Sequence, residues 1–266
     1  MHLNKLVIKQ VVSKITAFFI SYKLVTKMSV KIILSLAIFI LNAQIIKAAE
    51  IYGAPSEITS WRISCNADIG AVKRLGNTYT FTKSRNNCGK ETIWKWSQRS
   101  EIISNALSIN VKAAYSFSTK LSVESKSNTK FTFFQVHDGR DACAPPLKID
   151  WKIDNTLEFR SDFKMADSGA KHCVVNRSLQ YSKPLNNVVL RRDGTVYFIE
   201  VILFFDGLGN FDVSLYIDGT KILEGTYSHD ERFQKPRKFE FKHGSYSSNM
   251  FDYKLSSEGI KFKRID

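Results

Sequence analysis

The sequence predicts an all-β chain folded as two packed antiparallel sheets, a sandwich or jelly roll. Three observations carry this. Alternating or β-rich apolar segments recur at short intervals from Ile51 onward, Asp-Gly turn signals separate several of them, and no stretch after residue 48 keeps a helical period for more than a few turns. Many short strands in one domain bury their apolar faces by pairing two sheets. The chain has 266 residues, 44% of them hydrophobic and 12% aromatic, with 5 prolines and no long Gly/Ser linker. Residues 49–266 are therefore read as one domain with a sizeable core.

Residues 1–48 differ in kind. They carry Lys5, Lys9, Lys14, Lys23, Lys27, Lys31 and Lys47 and no acidic residue. From Met28 the text is "MSVKIILSLAIFILNAQIIKAAE": a basic start, an apolar run from Ile32 to Leu41, then small residues. That is the pattern of a secretory signal peptide, with Met28 as a possible true start and Ala43 or Ala49 as alternative ends. The apolar run is short for a membrane span. Membrane contact is expected only through this segment, if it stays uncleaved.

The net charge is +14; removing the seven lysines of residues 1–48 leaves 14 − 7 = +7 for the remainder. An exported domain with that excess attracts polyanions: nucleic acid, anionic lipid or acidic polysaccharide. No nucleic-acid-binding module is recognisable, so no nucleic-acid partner is expected. The four cysteines, Cys65, Cys88, Cys143 and Cys173, are an even set in an exported chain and favour two disulfides over a metal site, since there is no C-x-x-C, H-x-H or H-E-x-x-H. Three pairings are open; Cys65–Cys88 with Cys143–Cys173 closes the shorter loops.

In order, the strand text reads "TIWKWSQRSEII", "KFTFFQVH", "PLKIDWKI", "TLEFRSDF", "TVYFIEVILFF", "DVSLYI", "TKILEGTY" and "KFEFKHGSY". Asp193-Gly194, Asp206-Gly207 and Asp218-Gly219 supply turns, the last a hairpin signal between two strands. The segment "RSEIISNALSIN" is ambiguous between strand and helix. Period-two alternation then assigns faces. Trp94 and Trp96 oppose Lys95, Ser97, Arg99 and Glu101. Phe133, Gln135 and His137 oppose Phe134 and Val136. Phe239, Phe241 and His243 oppose Lys242, Gly244, Tyr246 and Ser248. Three strands thus each have an apolar face for the core and a polar face, and the polar faces side by side are expected to form the floor of an open groove. Same-face neighbours stand about 6.6 Å apart along a strand, near the width of a sugar ring.

Three motifs lie on these strands: "RSEI" (99–102), "QVH" (135–137) and "FKHGSY" (241–246). In order and placement they resemble the motifs of jelly-roll, concanavalin A-like polysaccharide lyases: R-[ST]-E-L, Q-[IV]-H and Y-F-K-x-G-x-Y of alginate lyases, with glucuronan lyases and heparin lyase I related in fold and site. "QVHDG" before "APPLKIDWK", and the hairpin "SLYIDGTKI", are closer to the glucuronan and heparin lyase side. The resemblance spans roughly Trp94 to Asn249. It departs from the alginate pattern at Ile103, where a second Arg is usual, at Glu240, where a Tyr is usual, and at Ser248, where a Gln is usual. These departures weigh on alginate as the substrate more than on lyase chemistry.

The chemistry explains the residue types. A uronate polymer is cleaved by removing H5, next to a carboxylate, and expelling the group at O4. The carboxylate charge must be neutralised before H5 becomes acidic, a task for Arg99 and Gln135. A base and an acid must then act, and His137 and Tyr246 suit these roles. The resemblance implies Tyr246 as acid, and also as base where H5 and O4 are syn, as in glucuronate or mannuronate. It implies His137 as base for an anti elimination, as in guluronate or iduronate. It assigns Lys242, Lys95 and Asn249 to substrate binding, and Glu101 to structure. His172, His229 and His243 belong to no motif and are read as surface or structural.

The expectation is a secreted or periplasmic, monomeric lyase without metal or cofactor, acting on an acidic uronate polymer or glycosaminoglycan-like chain. The alternative is a non-catalytic, lectin-like jelly roll for acidic glycans, which would keep the basic groove without the chemistry. A jelly-roll hydrolase needs two carboxylates at the scissile bond, and its E-x-D-x-E signature is missing.

Overall fold

The computed structural model describes residues 56–88, 97–108, 110–139, 145–164, 173–230 and 238–266. The signal-peptide expectation, Trp94, Lys95, Trp96, His172 and the Cys143 half of the second disulfide lie outside the described residues.

Two antiparallel sheets, neither closed into a barrel, form the jelly roll. Six strands make the first in the order β1 (Trp61–Ile63), β4 (Gln98–Ser104), β14 (Glu240–Ser247), β6 (Phe131–His137), β7 (Leu147–Trp151) and β8 (Leu157–Arg160). Seven make the second in the order β13 (Thr220–Tyr227), β12 (Phe211–Ile217), β11 (Asp193–Asp206), β5 (Lys112–Glu124), β15 (Lys254–Arg264), β3 (Thr78–Thr82) and β2 (Val72–Leu75). A two-stranded ribbon, β9 (Asp162–Lys164) with β10 (Cys173–Val175), and one helical turn, α1 (Arg177–Gln180), complete the described elements.

All eight anticipated strand segments contain strands, and "RSEIIS" resolves as β4 rather than helix. "TLEFRSDF" divides into β8 and the start of β9. The Asp218-Gly219 hairpin forms between β12 and β13, with both residues at positive φ, +50° and +79°. Asp193-Gly194 is not a free turn: it opens β11, where a bulge falls between Asp193 and Val196.

The sheets meet through aromatic side chains. Phe241 of β14 lies 4.2 Å, centroid to centroid, from Phe262 of β15, and Phe117 of β5 lies 4.8 Å from Phe134 of β6. Fully burying one such side chain stabilises the fold by roughly 1.5–3 kcal/mol. Phe241 and Phe134 occupy the inner positions that alternation gives them, which turns Lys242, Tyr246 and Gln135 to the opposite face of the six-stranded sheet. His243 is in the inter-sheet core and not at the surface. It is fully buried, its Nε2 lies 2.6 Å from Ser257 Oγ, and its ring is 5.0 Å from that of Phe117.

Alternation fails within β6. Across β6 and β7, Thr132 pairs with Asp150 and Phe134 with Ile149, so Phe133 is the extra residue of a bulge. Phe133 joins the buried core cluster. Thr132, not Phe133, stands opposite Tyr246 on the polar face.

Candidate active site

Directly opposed residues in an antiparallel ladder share a face, so the register places the polar side chains. One row across the sheet reads Arg99 (β4), Tyr246 (β14), Thr132 (β6) and Asp150 (β7). A second reads Arg62 (β1), Ile103 (β4), Lys242 (β14), Gln135 (β6), Lys148 (β7) and Arg160 (β8). Glu101 lies between the rows, opposite Gly244. His137 lies beyond the second row, opposite Glu240.

Gly244 is what lets β14 lie so near β4. It has φ +138°, and a Cβ there would stand 2.3 Å from the Ser100 carbonyl oxygen and 2.8 Å from Glu101 Cα. Only glycine accepts both the conformation and the approach. The register shift between β14 and β6 falls between His243 and Tyr246, the interval that contains Gly244, and it brings Tyr246 level with both Arg99 and Thr132.

Three of the four expected catalytic residues share one network. The Arg99 guanidinium carbon lies 4.2 Å from the Tyr246 ring centroid. Arg99 Nη1 is 3.5 Å from Glu101 Oε2, and the other oxygen of Glu101 accepts a hydrogen bond from the Gln135 amide. Glu101 is therefore the link between Arg99 and Gln135, a fully buried carboxylate. Arg99 Nη1 also lies 3.5 Å from Cys65 Sγ, and Cys65 is bonded to Cys88, one of the two expected disulfides.

His137 is only partly buried and belongs to the other end of the arrangement. Its Nδ1 accepts a hydrogen bond from the Gly139 N–H at 2.9 Å. In the neutral ring the proton then sits on Nε2, which makes His137 a donor. Glu240 opposite it pairs with Lys238 at 3.0 Å and Arg62 at 3.5 Å. Asn249 is exposed, just past β14, with its N–H on Ser247 Oγ.

The open, solvated floor expected from alternation is not what forms. Arg99 is 8% exposed, Gln135 1%, Lys242 7% and Tyr246 9%. Charges tolerate such burial when they are paired, and here Arg99 has Glu101, while Lys130 and Arg160 have Asp150 at 3.1 and 3.5 Å. Burial also sets the proton affinities. It pushes the Tyr246 phenol up to about 12 against the opposing pull of Arg99. It brings Lys242 down to about 8, with Arg99 acting the same way and Glu101 and Glu240 opposing. Lys148, 1% exposed, is also brought down to about 8 by burial, against Asp150. Burial alone would raise Asp150, but Lys148, Lys130, the Thr132 hydroxyl and Arg160 hold its carboxyl below the ordinary value.

Lys148 and Arg160 belong to the cationic row without belonging to any motif. Alternation in "PLKIDWK" was the available signal: it sets Lys148 and Asp150 against Leu147, Ile149 and Trp151.

Among the described residues no group of three or more His, Cys, Asp or Glu side chains is placed to hold a metal ion, and no helix is long and apolar enough to cross a membrane. Two clefts lie elsewhere on the described surface, one of about 370 Å³ by Arg177 and His229 and one of about 170 Å³ by Trp61 and Arg74. Neither contains a residue of the three motifs.

No protein-family model matches the chain, and no curated protein sequence matches it. Solved structures do. An alginate lyase from Alteromonas sp. 272 is 10% identical, with 79% of this chain and 98% of that one covered and a TM-score of 0.48. The polysaccharide lyase family 7 alginate lyase AlgAT5 is 13% identical over 78% of this chain and 95% of its own, with a TM-score of 0.47. An endo-β-1,4-glucuronan lyase from the fungus Trichoderma reesei is 12% identical over 80% and 92%, also with a TM-score of 0.47. At these identities and scores the likenesses decide neither substrate nor mechanism.

Proposed function

We propose that this chain is an exported lyase that cleaves a uronate-containing polysaccharide by β-elimination, leaving unsaturated uronate ends, and that Tyr246 handles both protons. The observation that carries the reading is the Arg99–Tyr246 stack, tied through Glu101 to Gln135 and set beside the cationic row of Lys242 and Lys148.

The row suits a polyanion. Adjacent strands are about 4.8 Å apart, close to the advance of one pyranose along an extended 1,4-linked chain. Lys242 and Lys148 stand on the two strands that flank Gln135, so a polymer crossing the strands meets cations two sugars apart. A two-fold extended uronate chain turns its carboxylates to one side at that same interval.

At the reacting sugar, Arg99, Gln135 and Lys242 are donors for the carboxylate. In a water-poor site such fixed donors act more strongly than in bulk solvent. They stabilise the enolate-like charge that grows as H5 leaves. Tyr246, with its phenol pushed up to about 12, is protonated at neutral pH, which suits an acid and leaves little phenolate to act as a separate base. One relay satisfies both needs. The phenol proton passes to O4 as the C4–O4 bond breaks, the C5–H pair becomes the C4=C5 double bond, and the phenol oxygen receives H5. The relay requires H5 and O4 on the same side, as in glucuronate and mannuronate. His137, carrying its proton on Nε2, serves as a hydrogen-bond donor to the substrate.

The test is to incubate the purified protein with glucuronan, polymannuronate, polyguluronate, heparin-type chains and hyaluronan while following the ultraviolet absorbance of the new double bond. Absorbance on the glucuronate or mannuronate polymers, with little on polyguluronate, is the expected result. Saturated ends alone would mean a hydrolase, binding without cleavage a lectin-like protein, and preferential cleavage of polyguluronate an anti elimination with a different base.

A further inference from the structure

The Cys65–Cys88 disulfide lies against the side chain on which the proposed chemistry depends. Cys65 Sγ is 3.5 Å from Arg99 Nη1. The backbone on both sides of the bridge is laced to β4 at the site. Ser64 N–H donates to the Glu101 carbonyl at 2.8 Å, Arg99 N–H to the Ser84 carbonyl at 3.1 Å, and Asn86 N–H to the Ser97 carbonyl at 3.0 Å. The two ends of the loop are also joined to each other, Asn87 Nδ2 to the Asn66 carbonyl at 2.8 Å and Arg85 N–H to Asp68 Oδ2 at 2.9 Å.

Cys65 and Asn66 both have positive φ, +60° and +48°. Neither residue takes up that conformation without cost. The chain turns back sharply here, straight after β1, and the turn sets the Cys65 sulfur against the guanidinium. Arg99 is thereby enclosed by the Tyr246 ring, the Glu101 carboxylate and the disulfide.

We propose that Cys65 is a positioning residue of the active site, and that the oxidised Cys65–Cys88 pair holds the Arg99 guanidinium against the Tyr246 ring. With the bridge opened, the turn at Cys65–Asn66 loses its covalent tie to Cys88 and Arg99 gains room to swing toward Glu101 alone. The fold itself has an aromatic core between two sheets that the bridge does not cross. The consequence is a site assembled only once the chain has met an oxidising compartment, where such bridges persist. The kinetic part of this inference rests on the lyase reading; the geometric part does not.

The test uses the full chain in a Cys143→Ser/Cys173→Ser background, so that only this bridge responds. A guanidinium stacked on an aromatic ring has its side-chain NMR resonances displaced by the ring current, and a Tyr246→Leu control identifies that displacement for Arg99. Its loss on reduction, and in Cys65→Ser/Cys88→Ser, while cooperative unfolding persists, is the expected result. With it, kcat on a uronate polymer falls by about 100-fold, the order of loss that a small misplacement brings, and KM moves much less. Cys65→Val/Cys88→Val serves as the apolar replacement should the serine pair not fold. An Arg99 resonance that stays displaced in the reduced, folded protein would overturn the proposal, as would a lowered melting temperature with unchanged kcat. If the oxidised protein cleaves no uronate polymer, the lyase reading fails, and the NMR result still decides the role of the bridge.

Discussion

The Arg99 guanidinium lies over the Tyr246 ring at 4.2 Å, on neighbouring strands and in direct register. The contact makes Arg99 a cation that opposes the rise in the phenol's pKa, and in the proposed reaction the same guanidinium is a donor for the substrate carboxylate. A lysine in its place keeps a charge but has neither the planar stack nor the fork of donors. Arg99→Lys is expected to lower kcat/KM by roughly 10²–10³-fold, the range for removing a main charge-stabilising donor. Steady-state rates of double-bond formation check this, and a variant within threefold of the wild type would separate Arg99 from the chemistry.

In the proposed reaction Lys242 ties activity to pH. It is a cation below about 8 and neutral above, so kcat/KM for a uronate polymer is expected to fall as pH rises through 8. Lys242→Met should lower kcat/KM already at pH 7 and flatten that alkaline limb. Stability runs the other way. The folded value of about 8 lies below the ordinary 10.5 for Lys242, as it does for Lys148. Between those values the unfolded chain holds more protons than the folded one, so the lysines' contribution to stability rises with pH in that window. Urea titrations at pH 8 and 9.5, set beside the pH–rate profile, test both slopes.

Gly244→Ala should damage fold and site together. The new Cβ would meet the Ser100 carbonyl at 2.3 Å at a φ of +138°. A cost of at least about 2 kcal/mol is expected from strain of this kind, with β14 displaced from β4 and the Tyr246–Arg99 stack opened. Chemical denaturation gives the first quantity and kcat the second. An alanine variant that is wild-type in both would mean that the close approach at this position is dispensable.

His243 reports on the core between the sheets. Burial lowers its pKa to about 3 from the ordinary 6.5. The unfolded chain therefore binds the extra proton first, and the stability that the neutral ring supports is lost as pH falls from 6.5 toward 3. For this single group the slope is about 1.4 kcal/mol per pH unit. His243→Leu should remove that part of the acid sensitivity, seen as a shallower fall of the urea midpoint between pH 6 and 4. An unchanged slope would place the acid-sensitive group elsewhere.

Much of this arrangement was legible in the sequence, and the exceptions have physical causes. Alternation alone put Phe239, Phe241 and His243 on one face of β14 and Lys242 and Tyr246 on the other, because both faces of that strand obey strict constraints. It gave Phe133 the wrong position, since a bulge adds a residue that no periodicity reveals. Alternation also separates the two faces of a strand without telling whether the polar face meets water, so the burial of Gln135 and Lys242 was not foreseen. Glu101 was read as structural, but its link between Arg99 and Gln135 depends on the β4–β14–β6 order, which is a property of the sheet and not of any segment. Lys148 had no motif to single it out. The long inner strands β5 and β15 were not picked out, although "KAAYSFSTKLSVE" alternates, because its outer positions include Ser116, Ser118 and Ser122, small polar residues that resemble loop text.

The account stands most directly on Tyr246. The decisive measurement is the initial rate at which wild type and Tyr246→Phe generate the ultraviolet absorbance of unsaturated uronate ends on glucuronan and polymannuronate. Phenylalanine keeps the ring beneath Arg99 and removes only the hydroxyl to which the proposal gives both protons. The predicted result is clear activity for the wild type and a loss of roughly 10³-fold or more for the variant, near the upper range for removing a general acid–base group. A Tyr246→Phe protein that keeps the wild-type rate would contradict it.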